Sequence, residues 1–342
     1  MTLQETIAIF TGLPIPLSQD TSPVFSAVPF DQGNPHRLAK DHSGAPCLLL
    51  ATVHSAPSVR PPLALQNISV VFDLLCKIHL HGTTGVRATF TVIKCVSPDA
   101  TIQGHFLSFV PLISTALRAI TDRTRIQSIV DDMVELFRVL SAPPRKEIQG
   151  LWGELFLISE SLAPAELLSA WHSEPTDTYD FNTGPQRVEV KTTVQSPRSH
   201  HFSLDQLLPP ADTSIVIASL VVRRSGAGAC VSELLSAIFQ RSGVAPELQL
   251  QATMKAHQVL GSSWQAARDT RFDIEAARQS LRYYDSGAIP KVQTPLPAGL
   301  SCVSFIVDME PVHTLTSAEL VAAGGLRSVL PASPSRNKHS AF

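Results

Sequence analysis

The amino-acid sequence predicts an α+β or α/β protein, in which a β-rich N-terminal domain precedes a mixed-sheet domain that ends in helices. Three observations predict this class. Short apolar runs separated by Pro, Gly and Ser occupy residues 1–111. Helical periodicity replaces them over 112–140, and an almost wholly apolar helix follows over 147–162. Strand-like and helix-like segments then succeed one another to about residue 325.

Composition favours a globular chain and excludes several other classes. The chain has 342 residues, of which 44% are hydrophobic and only 16% are charged, so a sizeable core in one or two domains is expected. The formal net charge is −2, so a nucleic-acid partner would need local basic patches. Five cysteines without metal-ligand spacing disfavour a disulfide framework or a zinc site and favour the cytoplasm. No signal peptide and no run of ~20 apolar residues is recognised, so no membrane partner is expected.

The N-terminal domain, residues 1–111, is expected to form a small antiparallel sheet or sandwich. Its strand-like runs are "PCLLLATV", "ISVVFDLLCKIHL" and "RATFTVIKCV". A connecting helix over 112–140 follows, because its apolar residues recur near helical spacing. Pro143 and Pro144 end that helix, since proline is not tolerated inside one, and residues 112–146 therefore read as a helix and linker.

The second domain is predicted over residues 147–325. Its first helix, 147–162, is apolar around almost its whole circumference and is therefore expected to be buried between a sheet and another helix. Helical segments and a late strand, "SCVSFIVDM", complete the domain, and the Ser/Pro-rich tail 326–342 is expected to be disordered. Between the first helix and the later helical segments, the sequence predicts a weak strand at 166–171, strands at 177–183, 186–194 and 214–222, and a short segment at 203–208.

A charged hairpin, "YDFNTGPQRVEVKTT" (179–193), stands out in a chain with little charge. Gly184 and Pro185 are a turn signal, and a loop at those two residues places Asp180 opposite Glu189. Opposed residues and alternate residues of one strand share a face, so Glu189 and Lys191 lie on the face of Asp180. The other implied pairs are Thr183 with Gln186 and Phe181 with Val188.

Two carboxylates about 5 Å apart at Cβ repel each other, and a bound divalent cation removes that repulsion. Mg²⁺, with Mn²⁺ as a substitute, is the cation that prefers such oxygen ligands. Glu154 lies at the edge of the apolar arc of helix 147–162, from which it could reach the ion. The alternative is a solvated edge hairpin whose Glu189 and Lys191 are ordinary surface charges.

This order of residues resembles the PD-(D/E)XK nuclease superfamily, in which a helix glutamate precedes an aspartate and then an ExK strand. The stretches that carry the resemblance are "GLWGELFLI", "YDF", "VEVKTT" and "HHFSLDQL". They are closer still to a restriction- and defence-associated family described as "PD-(D/E)XK motif protein". The resemblance covers about residues 147–225 and implies a restriction-endonuclease-like αβββαβ domain. Tyr179 stands where the motif has proline.

The resemblance implies a role for each matched residue. Asp180 and Glu189 would be metal ligands, and the backbone carbonyl of Val190 would be a further one. Lys191 would be the catalytic lysine. Glu154 would be an accessory catalytic residue that reaches the metal directly or through water.

The polar segment that follows Lys191 is a candidate DNA-binding region, because loops beside a nuclease site often contact phosphates. The alternative, a hydrophilic loop with no partner, is left open. The residues assigned to the groove are Thr192, Gln195, Arg198, His200 and Gln206.

The leading functional hypothesis is therefore a Mg²⁺-dependent DNA endonuclease, acting within a restriction-modification or phage-defence system. Its expected partners are DNA and other subunits of that system, and a homodimer is left open. One alternative is a non-catalytic DNA-binding or assembly subunit that retains the nuclease fold. Another is a structural adaptor that joins a β-domain to an inert α/β domain.

Overall fold

A computed structural model describes most of the chain, and the chain divides into two compact units. Unit 1 comprises Met1–Ala142 and Gln249–Met254, and unit 2 comprises Pro143–Leu248 and Lys255–Phe342. Each unit has its own sheet and its own hydrophobic core. The residues described are 2–17, 23–52, 60–79, 85–118, 120–139, 147–171, 178–194, 197–208, 212–241, 243–292, 296 and 302–334.

Unit 1 begins with helix α1 (Leu3–Gly12) and then forms a sheet that closes on itself. Its hydrogen-bonded order is β1-β2-β3-β6-β5-β4, and β1 also pairs in parallel with β5. The predicted antiparallel sheet or sandwich is therefore corrected to a five-stranded closed sheet with β4 at its edge, because this extra pairing leaves β1 and β5 without an open edge. The strands are β1 (Val24–Pro29), β2 (Arg37–Lys40), β3 (Pro46–Leu50), β4 (Leu63–Ala64), β5 (Ile68–His79) and β6 (Val86–Cys95).

Side chains of the closed sheet alternate between an inner and an outer core. Along β3, Cys47 and Leu49 belong to the inner cluster, whereas Leu48 and Leu50 belong to the outer one. This alternation is the period-2 pattern that a strand requires when both of its faces are buried. The complete inner cluster is Phe25, Ala27, Ala39, Cys47, Leu49, Cys76, Ile78, Phe90 and Val92.

Two helices, α2 (Ala100–Leu117) and α3 (Arg123–Val139), supply most of the outer core. The prediction of one connecting helix over 112–140 is wrong in two respects: α2 begins at residue 100, and the helices are separated near Arg118. The backbone of Arg118 has φ +45°, which is outside the helical region and ends α2. By length and composition α2 could cross a membrane, but half of it is buried inside the protein.

Unit 2 contains a four-stranded mixed sheet and a separate two-stranded sheet. The first has the order β12-β10-β8-β7, with β8 and β10 parallel and the outer pairs antiparallel; the second pairs β9 with β13. The elements from residue 143 onward are α4 (Ile148–Glu160), α5 (Pro164–Ala170), β7 (Phe181–Asn182), β8 (Gln186–Thr193), β9 (Ser199–Ser203), α6 (Leu204–Leu207), β10 (Ser214–Val221), β11 (Arg224–Ala229), α7 (Val231–Phe239), α8 (Pro246–Leu260), α9 (Trp264–Asp269), α10 (Ile274–Ser280), β12 (Arg282–Asp285), β13 (Ser304–Asp308), α11 (Ser317–Ala323) and α12 (Gly325–Ser328). Residues Gln249–Met254 of α8 belong to unit 1.

Two predictions about the ends of unit 2 need correction. The weak strand expected at 166–171 is helix α5, which begins with Pro164 at a position where proline is well tolerated. The tail expected from residue 326 starts with packed structure: Leu326 and Leu330 are buried, and the Pro331 carbonyl accepts a hydrogen bond from the Tyr283 hydroxyl at 2.8 Å. Only 335–342 of the expected tail lies outside the described residues.

Helix α4 packs directly on β8, and the prediction that it is buried is confirmed. Six of its large apolar side chains are fully buried. The close approach depends on Gly153, because a Cβ atom at that position would lie 2.3 Å from Thr192 Cγ2. The face of β8 that carries Val190 and Thr192 is therefore covered by α4. The six buried α4 residues are Leu151, Trp152, Leu155, Phe156, Leu157 and Ile158.

Candidate active site

The hairpin register predicted from the sequence is confirmed. Thr183 N–H donates to the Gln186 carbonyl at 3.0 Å, across a turn in which Gly184 has φ +79°. Phe181 pairs with Val188, as expected. Glycine suits this turn because a side chain at positive φ would be strained. Extended by one residue, this register places Asp180 opposite Glu189.

Asp180 occupies that position at the end of β7. It is 6% exposed, and its Oδ2 accepts a hydrogen bond from Val190 N–H at 2.9 Å. The N–H and C=O groups of one strand residue point toward the same neighbouring strand. The Val190 carbonyl therefore points to the edge of β8 on which Asp180 lies. The short strand β7 begins only at Phe181, so the side chain of Asp180 takes the place of a further ladder hydrogen bond there.

A closed ring of hydrogen bonds joins Glu189, Lys191 and Gln206 on the face of β8 that points away from α4. Lys191 Nζ lies 2.9 Å from Glu189 Oε1 and 3.0 Å from Gln206 Oε1, and Gln206 Nε2 donates to Glu189 Oε1 at 2.7 Å. The side chain of Glu189 is 6% exposed and that of Lys191 is 18% exposed. Lys191 Nζ also lies 5.3 Å from the centre of the Phe202 ring, within cation–π range. The charged pair is therefore mostly buried, but Lys191 keeps some contact with solvent.

Glu154 approaches from the opposite side of the sheet. It is 2% exposed, and its Oε2 accepts a hydrogen bond from Trp171 Nε1 at 2.8 Å. Its helix covers the Val190 and Thr192 face of β8, whereas Glu189 points to the other face. That Glu154 reaches the metal, directly or through water, stays a prediction.

The donor set at β8 fits Mg²⁺ better than it fits a transition metal. Two carboxylates, of Asp180 and Glu189, and one backbone carbonyl, of Val190, are hard oxygen ligands, and Mg²⁺ commonly takes one or two carboxylates and keeps several waters. Among the described residues, no group of three or more His, Cys, Asp or Glu side chains is arranged to hold a metal ion. A site built here would accordingly complete its shell with water and substrate oxygens.

Thr192, one of the residues assigned to a DNA groove, faces helix α4 instead. Thr192 Oγ1 accepts a hydrogen bond from Gln149 Nε2 at 3.2 Å, and its methyl group packs under Gly153. Its side chain therefore faces α4 and not the ring around Lys191. Gln195 lies outside the described residues.

Arg198 and His200, the next two assigned residues, are also wrong as groove residues, because both are buried. Arg198 is 3% exposed, and its Nη1 donates to the Ser219 carbonyl at 2.9 Å. His200 is 4% exposed, and its Nε2 lies 2.6 Å from Ser219 Oγ. Burial, followed by the positive charges of Arg198 and Lys191, lowers the pKa of His200 to about 3. The imidazole is therefore neutral at pH 7 and offers no positive charge to a phosphate.

Arg187 is a candidate that sequence reasoning missed. It precedes Glu189 by two residues on β8 and so shares its face. Its guanidinium carbon lies 5.0 Å from the centre of the Tyr179 ring, and the Tyr179 hydroxyl donates to the Asp205 carbonyl at 3.0 Å. Among the described residues no carboxylate forms a salt bridge with Arg187. The signal in the sequence was its position at an alternate site before ExK.

Other arginines near helix α10 differ from Arg187, because each is paired with carboxylates. Arg271 pairs with Glu233, and Arg278 pairs with Glu160 and Glu275. Their charges are therefore already compensated within the protein. Arg282 is likewise paired, with Glu310.

Unit 2 has a mixed α+β architecture, and its strand β8 carries the paired acid and lysine of the ExK pattern. A family model described as "Putative PD-(D/E)XK family member, (DUF4420)" matches residues 7–310, nearly the whole chain. The chain belongs to this family, and the resemblance seen in the sequence is confirmed. No curated protein and no solved structure matches the chain.

Proposed function

We propose that the protein is a metal-dependent DNA endonuclease that hydrolyses phosphodiester bonds. The observation that carries this proposal is the arrangement at β8: Glu189 and Lys191 on one face, with Asp180 bonded to the intervening residue, Val190. Membership of a PD-(D/E)XK family supports the same chemistry. As a component of a restriction-modification or phage-defence system, the enzyme would act in the cytoplasm.

The proposed metal ligands are Asp180, Glu189 and the Val190 carbonyl, with Mg²⁺ as the physiological ion and Mn²⁺ as a substitute. A bound Mg²⁺ would supply a Lewis acid for the phosphate oxygens and lower the pKa of a bound water. Glu154, on the opposite side of the sheet, would act through water or through Trp171, which donates to its carboxylate. It would support the ion less directly than Asp180 or Glu189.

Lys191 would contribute a positive charge where negative charge develops on the phosphate. In the absence of substrate its ammonium group lies against Glu189 and Gln206. A phosphate or a water at the same position would accept a hydrogen bond from that group and be oriented by it. Arg187 offers a second cation on the same face, suited to a neighbouring phosphate because a planar guanidinium can donate two parallel hydrogen bonds.

The decisive assay is cleavage of modified and unmodified double-stranded DNA in the presence of Mg²⁺ or Mn²⁺. Metal-dependent cleavage by the wild type that disappears in Glu189→Gln and Asp180→Asn supports the proposal. If the wild type and both variants bind DNA but none of them cleaves it, the alternative of a non-catalytic DNA-binding subunit is favoured instead. A methyltransferase or ATPase gene beside this one would favour the defence role.

A further inference from the structure

We propose that Gln206 is a positioning residue for the β8 site: its side-chain amide contacts Glu189 and Lys191 at once and sets the orientation of both. The inference rests on the proposed metal-dependent nuclease function and adds to it a residue outside the ExK motif. Gln206 was expected from the sequence to contact DNA. In the structure it contacts the two charged groups of the site instead.

Chemistry determines the direction of the amide. Its NH₂ group donates to Glu189 Oε1 at 2.7 Å, and its carbonyl oxygen accepts from Lys191 Nζ at 3.0 Å. A flipped amide would set its NH₂ against the ammonium group and its oxygen against the carboxylate, and both contacts would be repulsive. Glu189 and Lys191 therefore allow only one orientation of Gln206, and Gln206 in turn restrains both.

The backbone of α6 holds the side chain in this position. Gln206 is the third residue of α6, and its Oε1 also accepts a hydrogen bond from Ser203 N–H at 3.2 Å, as part of a capping box. The side chain thus makes three hydrogen bonds, one of them to its own helix terminus. A side chain restrained in this way loses little conformational entropy when it orders its neighbours.

The consequence concerns competition between Lys191 and a metal ion for Glu189. In the structure Lys191 contacts the same Glu189 oxygen as Gln206 does. The amide oxygen of Gln206 gives the ammonium group a second acceptor, so that Lys191 can leave Glu189 for a phosphate without being released into solvent. The amide NH₂ group keeps Glu189 oriented during that exchange. Because glutamine is neutral, it does both without adding a charge that would favour either partner.

The test compares Gln206→Leu with Gln149→Leu. Gln149 is a matched control, because it also donates a side-chain hydrogen bond to β8 but does so from α4, on the opposite face. Loss of a group that orients a metal ligand typically costs 10–100-fold in metal affinity or activity. For Gln206→Leu we expect Mn²⁺ affinity by calorimetry and the single-turnover cleavage rate to fall by about that factor, with KM for DNA changing less. For Gln149→Leu both should stay within about twofold of the wild type.

Gln206→Glu separates positioning from simple packing, because it keeps the shape of the side chain. It retains an acceptor for Lys191 but loses the donor to Glu189 and adds a negative charge. Mn²⁺ affinity should equal or exceed that of the wild type, while the cleavage rate falls by about tenfold or more. This opposite movement of affinity and rate is not expected from a structural defect, and it is measurable even if Gln206→Leu fails to fold.

Several results would overturn the inference while leaving the proposed function intact. They are wild-type affinity and rate in Gln206→Leu, equal losses in Gln206→Leu and Gln149→Leu, or wild-type cleavage by Gln206→Glu. A wild-type protein that neither binds Mn²⁺ nor cleaves DNA would remove the proposed function, and the positioning role with it. The two failures are therefore distinguishable from the wild-type control.

Discussion

Two acid–lysine pairs, Asp41 with Lys94 in unit 1 and Glu189 with Lys191 in unit 2, have similar burial of the acid but different surroundings, since Asp41 directly follows β2 and Glu189 lies within β8. Oδ1 of Asp41 accepts from the backbone and hydroxyl of Ser43 and from Ala45 N–H, at 2.6–2.9 Å. Those donors belong to the turn that follows Asp41, so the acid stabilises its own loop. Burial opposes ionisation of Asp41, but the bonds from Lys94, Ser43 and Ala45 prevail and lower its pKa.

Glu189 differs because the partners identified for it are side chains, which can exchange for other ligands. Its carboxylate contacts an ammonium group and an amide, and the backbone next to it contacts a second acid, Asp180. Loss of Asp41, which accepts hydrogen bonds from its own turn, should lower the free energy of unfolding. Loss of Glu189, whose side-chain partners can be exchanged for other ligands, should lower the cleavage rate.

The largest expected effect is on cleavage after removal of either proposed metal ligand. Asp180→Ala and Glu189→Ala should each reduce metal-dependent cleavage by about a thousandfold or more, because the ion loses one of its two anionic ligands. The counterpart is Asp41→Ala, which should lower the free energy of unfolding by about 3 kcal/mol through the lost hydrogen bonds to a charged group. Its cleavage rate per folded molecule should match the wild type. A stable Asp41→Ala protein with impaired chemistry would break the comparison.

Replacement of the two lysines should have different effects: Lys191→Ala should lower the cleavage rate, and Lys94→Ala should lower stability. Lys191→Ala should lower the single-turnover rate by about a hundredfold, equivalent to roughly 3 kcal/mol of transition-state stabilisation, as the loss of one positioned donor does. Mn²⁺ should still bind, since Lys191 is not a ligand. Lys94→Ala should leave the rate unchanged and lower the melting temperature. Equal rates in both variants would argue against a catalytic lysine.

Arg187 should contribute to DNA affinity and not to metal binding. Arg187→Gln should weaken binding of double-stranded DNA about tenfold and reduce the slope of log K against log salt concentration by about 0.9, the value for one phosphate contact. Arg278→Gln is the matched control, because that arginine is already paired with Glu160 and Glu275. Fluorescence anisotropy without divalent ions measures the salt slope of each variant. If Arg187→Gln and Arg278→Gln have the same slope, Arg187 makes no phosphate contact.

The smallest expected effect at neutral pH is that of His200 on stability, which grows as the pH falls. Its pKa is lowered to about 3 in the fold, chiefly by burial, from an ordinary value of 6.5. Between those values the unfolded chain binds the extra proton, so stability falls as pH falls, by up to about 1.4 kcal/mol per pH unit. His200→Gln should flatten this part of the urea-unfolding profile. The exposed neighbour His201 is the control: His201→Gln should leave the profile as in the wild type, and equal flattening by both would refute the assignment.

Local chemistry made the hairpin predictable from the sequence. Gly184 adopts the positive φ that the turn needs, and strand alternation then fixes which residues share a face. The pairing of Phe181 with Val188 follows from those two rules alone. The burial of α4 was predictable for a similar reason, since its apolar residues leave no polar face.

Long-range packing decided the features that the sequence did not predict. Arg198 and His200 looked like solvated loop residues, but both hydrogen-bond to Ser219, some 20 residues later, and Arg198 also donates to the Ser280 carbonyl. The face from which Glu154 approaches depends on the contact between Gly153 and β8. Closure of the unit 1 sheet likewise requires β1 to pair with β5, about 50 residues away, which no local pattern specifies.

The central claim is that Asp180 and Glu189 hold a divalent ion beside Lys191. Calorimetric titration of Mn²⁺ into the wild type, Asp180→Ala and Lys191→Ala, with cleavage assays on the same samples, tests it most directly. We expect binding and cleavage by the wild type, neither by Asp180→Ala, and binding with greatly reduced cleavage by Lys191→Ala. A wild type that binds no Mn²⁺, or an Asp180→Ala variant that cleaves at the normal rate, would contradict it.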